Sequence, residues 1–463
     1  MATPTGNTST PHFKGETSSV GSVGSPASHI DHVLIVGAGL CGLATAIGLG
    51  KAGIRVTILE RSSELREIGA GIQIPPNAAR VLSHLGLLDR IATHSVRPRD
   101  IVLRSYSDGS TLRSLNVDPD AQDSYGFPLL VTHRADLCKI LYEEALNLGI
   151  AVLFGCSVQQ IDFARPAVQL AAGETMAADL ILGTDGARSI CREALLGHAD
   201  PPRPSGKLIY RVCIDIGVMS RHPEVADLIH PPRIHIWLGP AAHVVCYGLK
   251  GVFNVVISQP EDDKGISFDV QKGDLEKLRQ SFQTWEPRLR KLLELAHETL
   301  RWSLPSSRQI ESWVHPRGHF ALLGDATHST FPVIAQGAAM AFESALVLSS
   351  LLCSANSTAQ LIALLHVYNR VRFPRTSKVD ELSRATLDYL EMPDGPEQVE
   401  RDRRLRDHGP GEGEVFALVD PEIQSWLWGF DARAHAELSW GKYVVENEAL
   451  GLDEDNPAAR ATD

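Results

Sequence analysis

Between His32 and Glu60 the chain passes through a β-branched run, the turn Gly37-Ala-Gly39-Leu-Cys-Gly42, a helical pattern over Leu43–Lys51, a stop at Gly53 and a second apolar run over Ile54–Glu60. This stretch limits the fold more tightly than any other. A strand, a glycine turn, a helix and a second strand in immediate succession close into a compact βαβ unit. Each glycine has its own task. Gly37 permits the tight turn, Gly39 lets a pyrophosphate approach the backbone, and Gly42 lets helix and strand pack closely. An acidic residue suited to ribose hydroxyls is expected about 20 positions further on. Glu60 stands there, followed by Arg61.

A second nucleotide-facing segment lies far downstream, over Gly318–Ala345. It reads as a short apolar strand ending in Gly324-Asp325, a Pro-containing loop, and a helix that begins near Gln336-Gly337. An acidic side chain at a strand end binds sugar hydroxyls, and a helix N-terminus built from small residues receives negative charge. A reduced flavin carries such charge on its N1–C2 carbonyl edge. A NAD-dependent dehydrogenase would use Gly37–Glu60 in the same way and leave the second segment without a task. The two segments together point to FAD.

The chain has 463 residues and a net charge of −12 with His neutral. That balance, with no basic cluster, argues against nucleic acid or an anionic membrane as partner. The seven cysteines are scattered and form no Cys-x-x-Cys pair, so a reduced compartment and packing roles are expected. The first 30 residues are rich in Ser, Thr, Gly and Pro, lack the apolar core of a signal peptide, and read as a disordered tail. No run of about 20 apolar residues is present, so no membrane span is expected. A soluble, cytoplasmic protein follows. The acidic end, Glu446–Asp463, reads as frayed.

Helical patterns occur at Asn77–Leu85 and Arg134–Leu148, and Ala178–Gly183 is a buried strand entering a turn at Asp185-Gly186. The character then changes. Leu208–Ile216, Arg233–Leu238, His243–Gly248 and Val252–Ser258 read as short strands of an antiparallel layer. Asp274–Leu300 reads as amphipathic helix interrupted at Pro287, and a long helical pattern runs to about Leu390. The expected fold class is α/β: a Rossmann-like FAD-binding domain of glutathione-reductase type, interrupted by an antiparallel-sheet substrate domain and followed by C-terminal helices. The expected boundaries are 1–30 for the tail, 31–205 and 306–395 for the two parts of the FAD-binding domain, 206–305 for the substrate domain, and 396–463 for a C-terminal extension.

With these residues in place the chain resembles the group A flavoprotein aromatic hydroxylases, in the branch containing salicylate hydroxylase and its fungal polyketide-modifying relatives. The resemblance is carried by Gly37–Arg61, Arg66–Asn77, His133–Leu137, Asp185–Ser189 with Arg192, residues 324–345, and Trp428–Asp431. It implies that Glu60 binds the adenosine ribose, that Gly71 and Arg134 contact FAD, that Asp325 holds the ribityl chain, and that Ala335 to Ala338, with Gly337 between them, lie against the isoalloxazine ring. The Asp185-Gly186 element is similar to one that serves both FAD and NADH or NADPH. A structural alternative leaves Asp185 ordering its turn and Arg192 as a surface cation. Four positions depart from the family pattern: Ser344 for Asp, Thr327 for Ala, and apolar Val333 and Ile334 where some salicylate-type enzymes are polar or basic.

The resemblance further implies a monooxygenase that consumes NADH or NADPH and inserts one oxygen atom of O2 into a phenolic or benzoate-like metabolite through a flavin C4a-hydroperoxide, as a monomer or homodimer. Epoxidation of an alkene and a non-catalytic flavin-binding role stay open. On the substrate side, the sheet offers Tyr210, Arg211, His235, Trp237, His243 and Tyr247. An unpaired charge in the apolar strand Leu-Ile-Tyr-Arg211-Val-Cys-Ile is costly, so either function or a structural ion pair explains Arg211, and Tyr247 is either functional or a core tyrosine with a satisfied hydroxyl; by the resemblance, the two match an Arg and a Tyr that hold the phenolate in dearomatising fungal relatives. His235 and His243 read as packing or surface residues, and His328 as structural. No metal-ligand spacing and no Ser-His-Asp arrangement is found.

Overall fold

The computed structural model describes residues 30–65, 71–261, 267–355, 357–407, 417 and 419–449. The expected tail through residue 29, Arg66 to Ala70, and the acidic end from residue 450 lie outside them.

Five parallel strands form one sheet in the order Phe320–Leu322, Leu180–Gly183, His32–Val36, Arg55–Glu60, Ala151–Phe154. Val33 to Val36 are all buried, with no alternation, because helices cover both faces of such a sheet. The helix Leu40–Lys51 packs against Gly337–Cys353 and Arg134–Asn147. Its approach to the Gly337 helix depends on Gly48, where a Cβ would come 2.6 Å from Ser349 Oγ. Both nucleotide-facing segments thus leave the sheet at the carboxyl ends of its parallel strands: the central strand leads into Gly37, and the edge strand into Gly324.

The second sheet has eight strands, in the order Gln271–Lys272, Leu300–Ser306, Arg203–Asp215, Val252–Pro260, Ala242–Gly248, Arg233–Gly239, Asp100–Ser105, Thr111–Asn116. The four strands expected from the sequence form its centre. Two additions differ from the sequence reading. The helical stretch ends at Leu295, and from Leu300 the chain is a strand, with Leu300 opposite Arg211. Asp100–Ser105 and Thr111–Asn116, which fall inside the first FAD-binding segment of the sequence reading, join the far side. There Asp100–Ser105 runs parallel to Arg233–Gly239, whereas every other neighbouring pair is antiparallel.

Alternation along the strands sorts their side chains into two layers. Tyr210, Val212, Trp237, Cys246, Phe253 and Val255 pack outward into a core shared with the helix Pro287–Leu295. The opposite phase, which includes Val245, Tyr247 and Leu304, joins the core of the nucleotide-binding half. The helix Leu361–Leu390 packs on the Gly337 helix and reaches the edge strand, where the Tyr368 hydroxyl donates to the Leu322 carbonyl oxygen at 3.1 Å, and Ala432–Ala449 packs on both helices. Among the described residues no helix is long and apolar enough to cross a membrane.

Candidate active site

Gly37 has φ 108°, a backbone region that favours glycine, and a Cβ there would come 2.7 Å from the Thr184 carbonyl oxygen. Gly42 packs back onto the same turn, where a Cβ would come 2.0 Å from the Gly37 carbonyl oxygen. Gly39 is different: a Cβ there would meet nothing within 4 Å. It opens the helix Leu40–Lys51 without a side-chain cap, and no acidic residue occupies the first turn. A long helix whose first N–H groups face open space beside a bare glycine accommodates a pyrophosphate. Glu60 is held beside this loop by two backbone bonds: Ala38 N–H donates to Oε2 at 3.0 Å and Ser62 N–H to Oε1 at 2.8 Å. Its remaining lone pairs are available to sugar hydroxyls. Arg61 is exposed next to it.

On the edge strand, Gly324 has φ 61° and turns the chain into Gly324–Ala326. Asp325 is open to solvent, yet burial among surrounding protein pushes its carboxyl above the usual range, against the pull of the Arg134 guanidinium. Exposure combined with crowding describes the wall of a cleft. Arg192 supports this turn from behind. It is 3% exposed, bonds the Thr327 carbonyl oxygen at 3.2 Å, and pairs with Asp200 at 2.7 Å. Arg192 is therefore no surface cation. Asp185 accepts from Ser189 Oγ and from Cys191 N–H, ordering the start of the helix Ile190–Leu196.

Between this turn and the Gly337 helix, Ala335 adopts φ 55°. A non-glycine residue in the left-handed region costs about 1–3 kcal/mol and tends to mark a functional loop. The helix Gly337–Cys353 has no side-chain cap. Its N-cap residue, Gln336, instead accepts from Asn77 Nδ2 through Oε1 at 2.9 Å, so its Nε2 is left buried without an acceptor, as is Thr330 Oγ1 without a partner. Strained backbone, an open helix N-terminus that includes Gly337 and Ala338, and unanswered buried polar groups form a cradle for an electron-rich ligand edge. The residues present fit FAD.

The second sheet faces this cradle. Arg211 lies with its guanidinium 5.1 Å from the centre of the Trp302 ring, and its Nε is buried without an acceptor. Burial pulls its pKa down, with nearby Tyr247 acting the other way. Tyr247 is 3% exposed and burial pushes its hydroxyl up, opposed by Arg211. Gly71 sits directly against that ring, where a Cβ would come 2.4 Å from Tyr247 Cε2. Gly71 lies on the strand Gly71–Ile74, paired with Leu130–His133 just before Arg134, so this contact brings the sheet face against the nucleotide-binding half.

The other sheet candidates have separate tasks. Tyr210, His235 and Trp237 point into the outer layer. There burial, assisted by Arg104, brings the His235 pKa down to about 3. His243 bonds Glu391 at 2.7 Å, and Lys207 pairs with the same carboxylate. Asn254 escaped the sequence reading. It is fully buried, directly opposite Tyr247 on one neighbour and Cys213 on the other. The available signal was a lone amide in the apolar strand Val252–Ile257, in phase with Tyr247.

The chain matches the family described as FAD binding domain over residues 31–383. It is 34% identical to the FAD-dependent monooxygenase OpS4 of Beauveria bassiana over 415 residues, covering 88% of this chain and 96% of that protein. It is 33% identical to 3-hydroxybenzoate 6-hydroxylase of Klebsiella oxytoca over 409 residues, covering 86% of this chain and 96% of that protein. In fold it is similar to a salicylate hydroxylase solved with its substrate, with a TM-score of 0.73 at 23% identity, over 89% of this chain and 98% of that one. An uncapped glycine turn, a second nucleotide cradle and these matches place the chain in the FAD binding domain family, as an FAD-dependent aromatic monooxygenase with the fold seen in salicylate hydroxylase.

Proposed function

We propose that the protein uses NADH or NADPH and O2 to place one oxygen atom on a ring carbon of a phenolic or benzoate-like metabolite. The observation that supports this is Arg211: a cation whose Nε is buried without an acceptor, beside Tyr247, on the sheet face turned to the flavin cradle. A phenolate oxygen answers both groups, and ionisation makes the ring carbons ortho and para to it better nucleophiles. An alkene would leave Arg211 Nε unanswered, which favours hydroxylation over epoxidation. The relative named 3-hydroxybenzoate 6-hydroxylase takes, by its name, a phenol that bears a carboxylate.

Bound FAD supplies electron transfer from the nicotinamide and activation of O2. The chain's own residues bind and orient. Gly37, Gly39 and the Leu40 helix N-terminus receive the pyrophosphate, and Glu60 with Arg61 flanks the adenosine. Gly71 and Arg134 line the cleft, and Asp325 takes the ribityl hydroxyls. The N–H groups of Gly337 and Ala338 would be available to the electron-rich carbonyl edge of a bound flavin. Asp185, with Gly186, shapes the turn beneath.

Purified protein loaded with FAD is tested for NADH and NADPH oxidation against phenols, hydroxybenzoates and alkenes, with product masses recorded. Oxidation stimulated by a phenol, with gain of one oxygen atom in the ring product, is expected. Stimulation by alkenes alone, or failure to retain any flavin, overturns the reading.

A further inference from the structure

The helix Leu361–Leu390 and the C-terminal arm enclose a cavity of about 500 Å³ that opens to solvent. None of the residues assigned above to FAD or to the sheet face lines it. One wall is aromatic. The Arg375 guanidinium lies against two rings, 4.6 Å from the centre of Trp426 and 3.8 Å from that of Phe430. Phe430 in turn meets the His435 ring at 5.0 Å. Covering Arg375 uses only part of the indole: Trp426 stays 40% exposed.

The other wall is cationic. Arg370 and Lys442 are exposed, and neither pairs with a carboxylate among the described residues. Among those residues Glu446 is the one acidic side chain in the lining, one helical turn beyond Lys442. Behind the cavity Glu343 is shared by Arg372 and Arg375. His435 adds no charge at neutral pH, since burial and Arg375 lower its pKa. Four cations, Arg370, Arg372, Arg375 and Lys442, thus meet two carboxylates, in a chain whose net charge is −12.

An uncovered indole and a local surplus of positive charge select one ligand chemistry. A flat ring stacks on Trp426, and an anionic group on that ring answers Arg370 and Lys442. A cavity of this size suits a small molecule. We propose that the cavity is a binding site for a planar aromatic anion, an aromatic carboxylate being the simplest, separate from the catalytic cleft. The site stands whether or not the protein hydroxylates phenols.

Isothermal titration of the FAD-loaded protein with naphthoate compares the unaltered chain with Arg370→Gln/Lys442→Gln. Both side chains are exposed, so the double variant keeps its melting temperature. Naphthoate bound over the flavin is common to the two proteins and is followed separately by flavin absorbance. The unaltered protein should show a binding event that leaves the flavin spectrum unchanged and is about 10- to 100-fold weaker in the variant. Two further probes need no variant. Naphthol has the ring without the charge, and cyclohexanecarboxylate has the charge without the flat ring; each should bind this site at least about 10-fold more weakly than naphthoate. Absence of that event, or equal affinity in the variant, overturns the proposal. So does inorganic phosphate binding as tightly as naphthoate, the behaviour of a mere patch of positive charge. The hydroxylase reading is decided separately, by oxygen insertion into product.

Discussion

The Glu343 carboxylate and the Arg372 guanidinium lie 2.7 Å apart with both side chains at 0% exposure. Arg375 bonds the same carboxylate at 2.7 Å and also holds the carbonyl oxygens of Trp426 and Leu427. Arg80 does the same for the carbonyls of Trp428 and Phe430. The C-terminal arm is thus clamped by main-chain contacts to a buried charge centre on the Gly337 helix. Burial pushes Glu343 up, but Arg375 and Arg372 outweigh it and hold the carboxyl below its ordinary value. On the other side Asn77 Nδ2 bonds both Glu343 and Gln336, which joins the same centre to the flavin cradle.

Removing Glu343 strands two buried cations. Glu343→Ala is expected to lose about 3–5 kcal/mol of stability in urea unfolding. Because Asn77 loses its anchor as well, the purified variant should carry less FAD per chain. Unchanged stability together with full flavin occupancy would contradict the clamp.

Gly71 and Tyr247 pack too closely for a side chain to stand between them. Gly71→Ala should cost about 1–3 kcal/mol through overpacking. In a Tyr247→Ala background the same change should be nearly neutral, since the atoms it strikes are gone. Melting temperatures of the two single variants and the double variant close the cycle. Simple additivity would mean that the two residues do not touch.

Arg211→Ala is expected to lower kcat/KM for a phenolic substrate about 100-fold, the scale of a hydrogen bond to a charged group. The FAD content should be unaltered, because Arg211 lies on the opposite wall of the cleft. Arg211→Lys should recover only part of the loss: an ammonium cannot reproduce the planar guanidinium lying near Trp302. Steady-state kinetics with product quantification distinguish these outcomes. An Arg211→Ala enzyme as active as the parent would remove the phenolate anchor.

His235 and His328 predict an acid-sensitive stability. Burial, with Arg104 in one case and Arg372 in the other, brings both pKa values from 6.5 to about 3. Below pH 6.5 the unfolded chain binds protons that the folded chain refuses, so stability falls as pH drops from 6.5 toward 3. The loss is about 2 kcal/mol for each histidine at pH 5. Urea unfolding at pH 7.5 and pH 5 measures it, and His235→Gln should halve the decline. A flat profile over that interval would show the two rings to be solvated or already paired.

The nucleotide-binding half was legible in the chain because its determinants are local. A strand, three glycines at fixed offsets, a helix and Glu60 follow one another within one βαβ unit, and Gly37 and Gly42 are dictated by backbone sterics at their own positions. The Gly324–Gly337 segment was legible for the same reason, down to the helix start. Within the sheet, the period-2 pattern located the four central strands and drew attention to Arg211 and Tyr247. Pairing between distant segments is another matter. Nothing local in Asp100–Ser105 states that it will lie parallel to Arg233–Gly239, nor in Leu300–Ser306 that it will flank Arg211. Register alone brings Asn254 level with Tyr247 and under Gly71, and only the docking of the C-terminal arm completes the Glu343 centre. Local backbone geometry sets the cofactor turns and the strand alternation, whereas the assembled fold sets which buried polar groups find a partner in the protein, because a hydrogen bond across 183 residues depends on the packing of the whole fold and not on its neighbours in the chain.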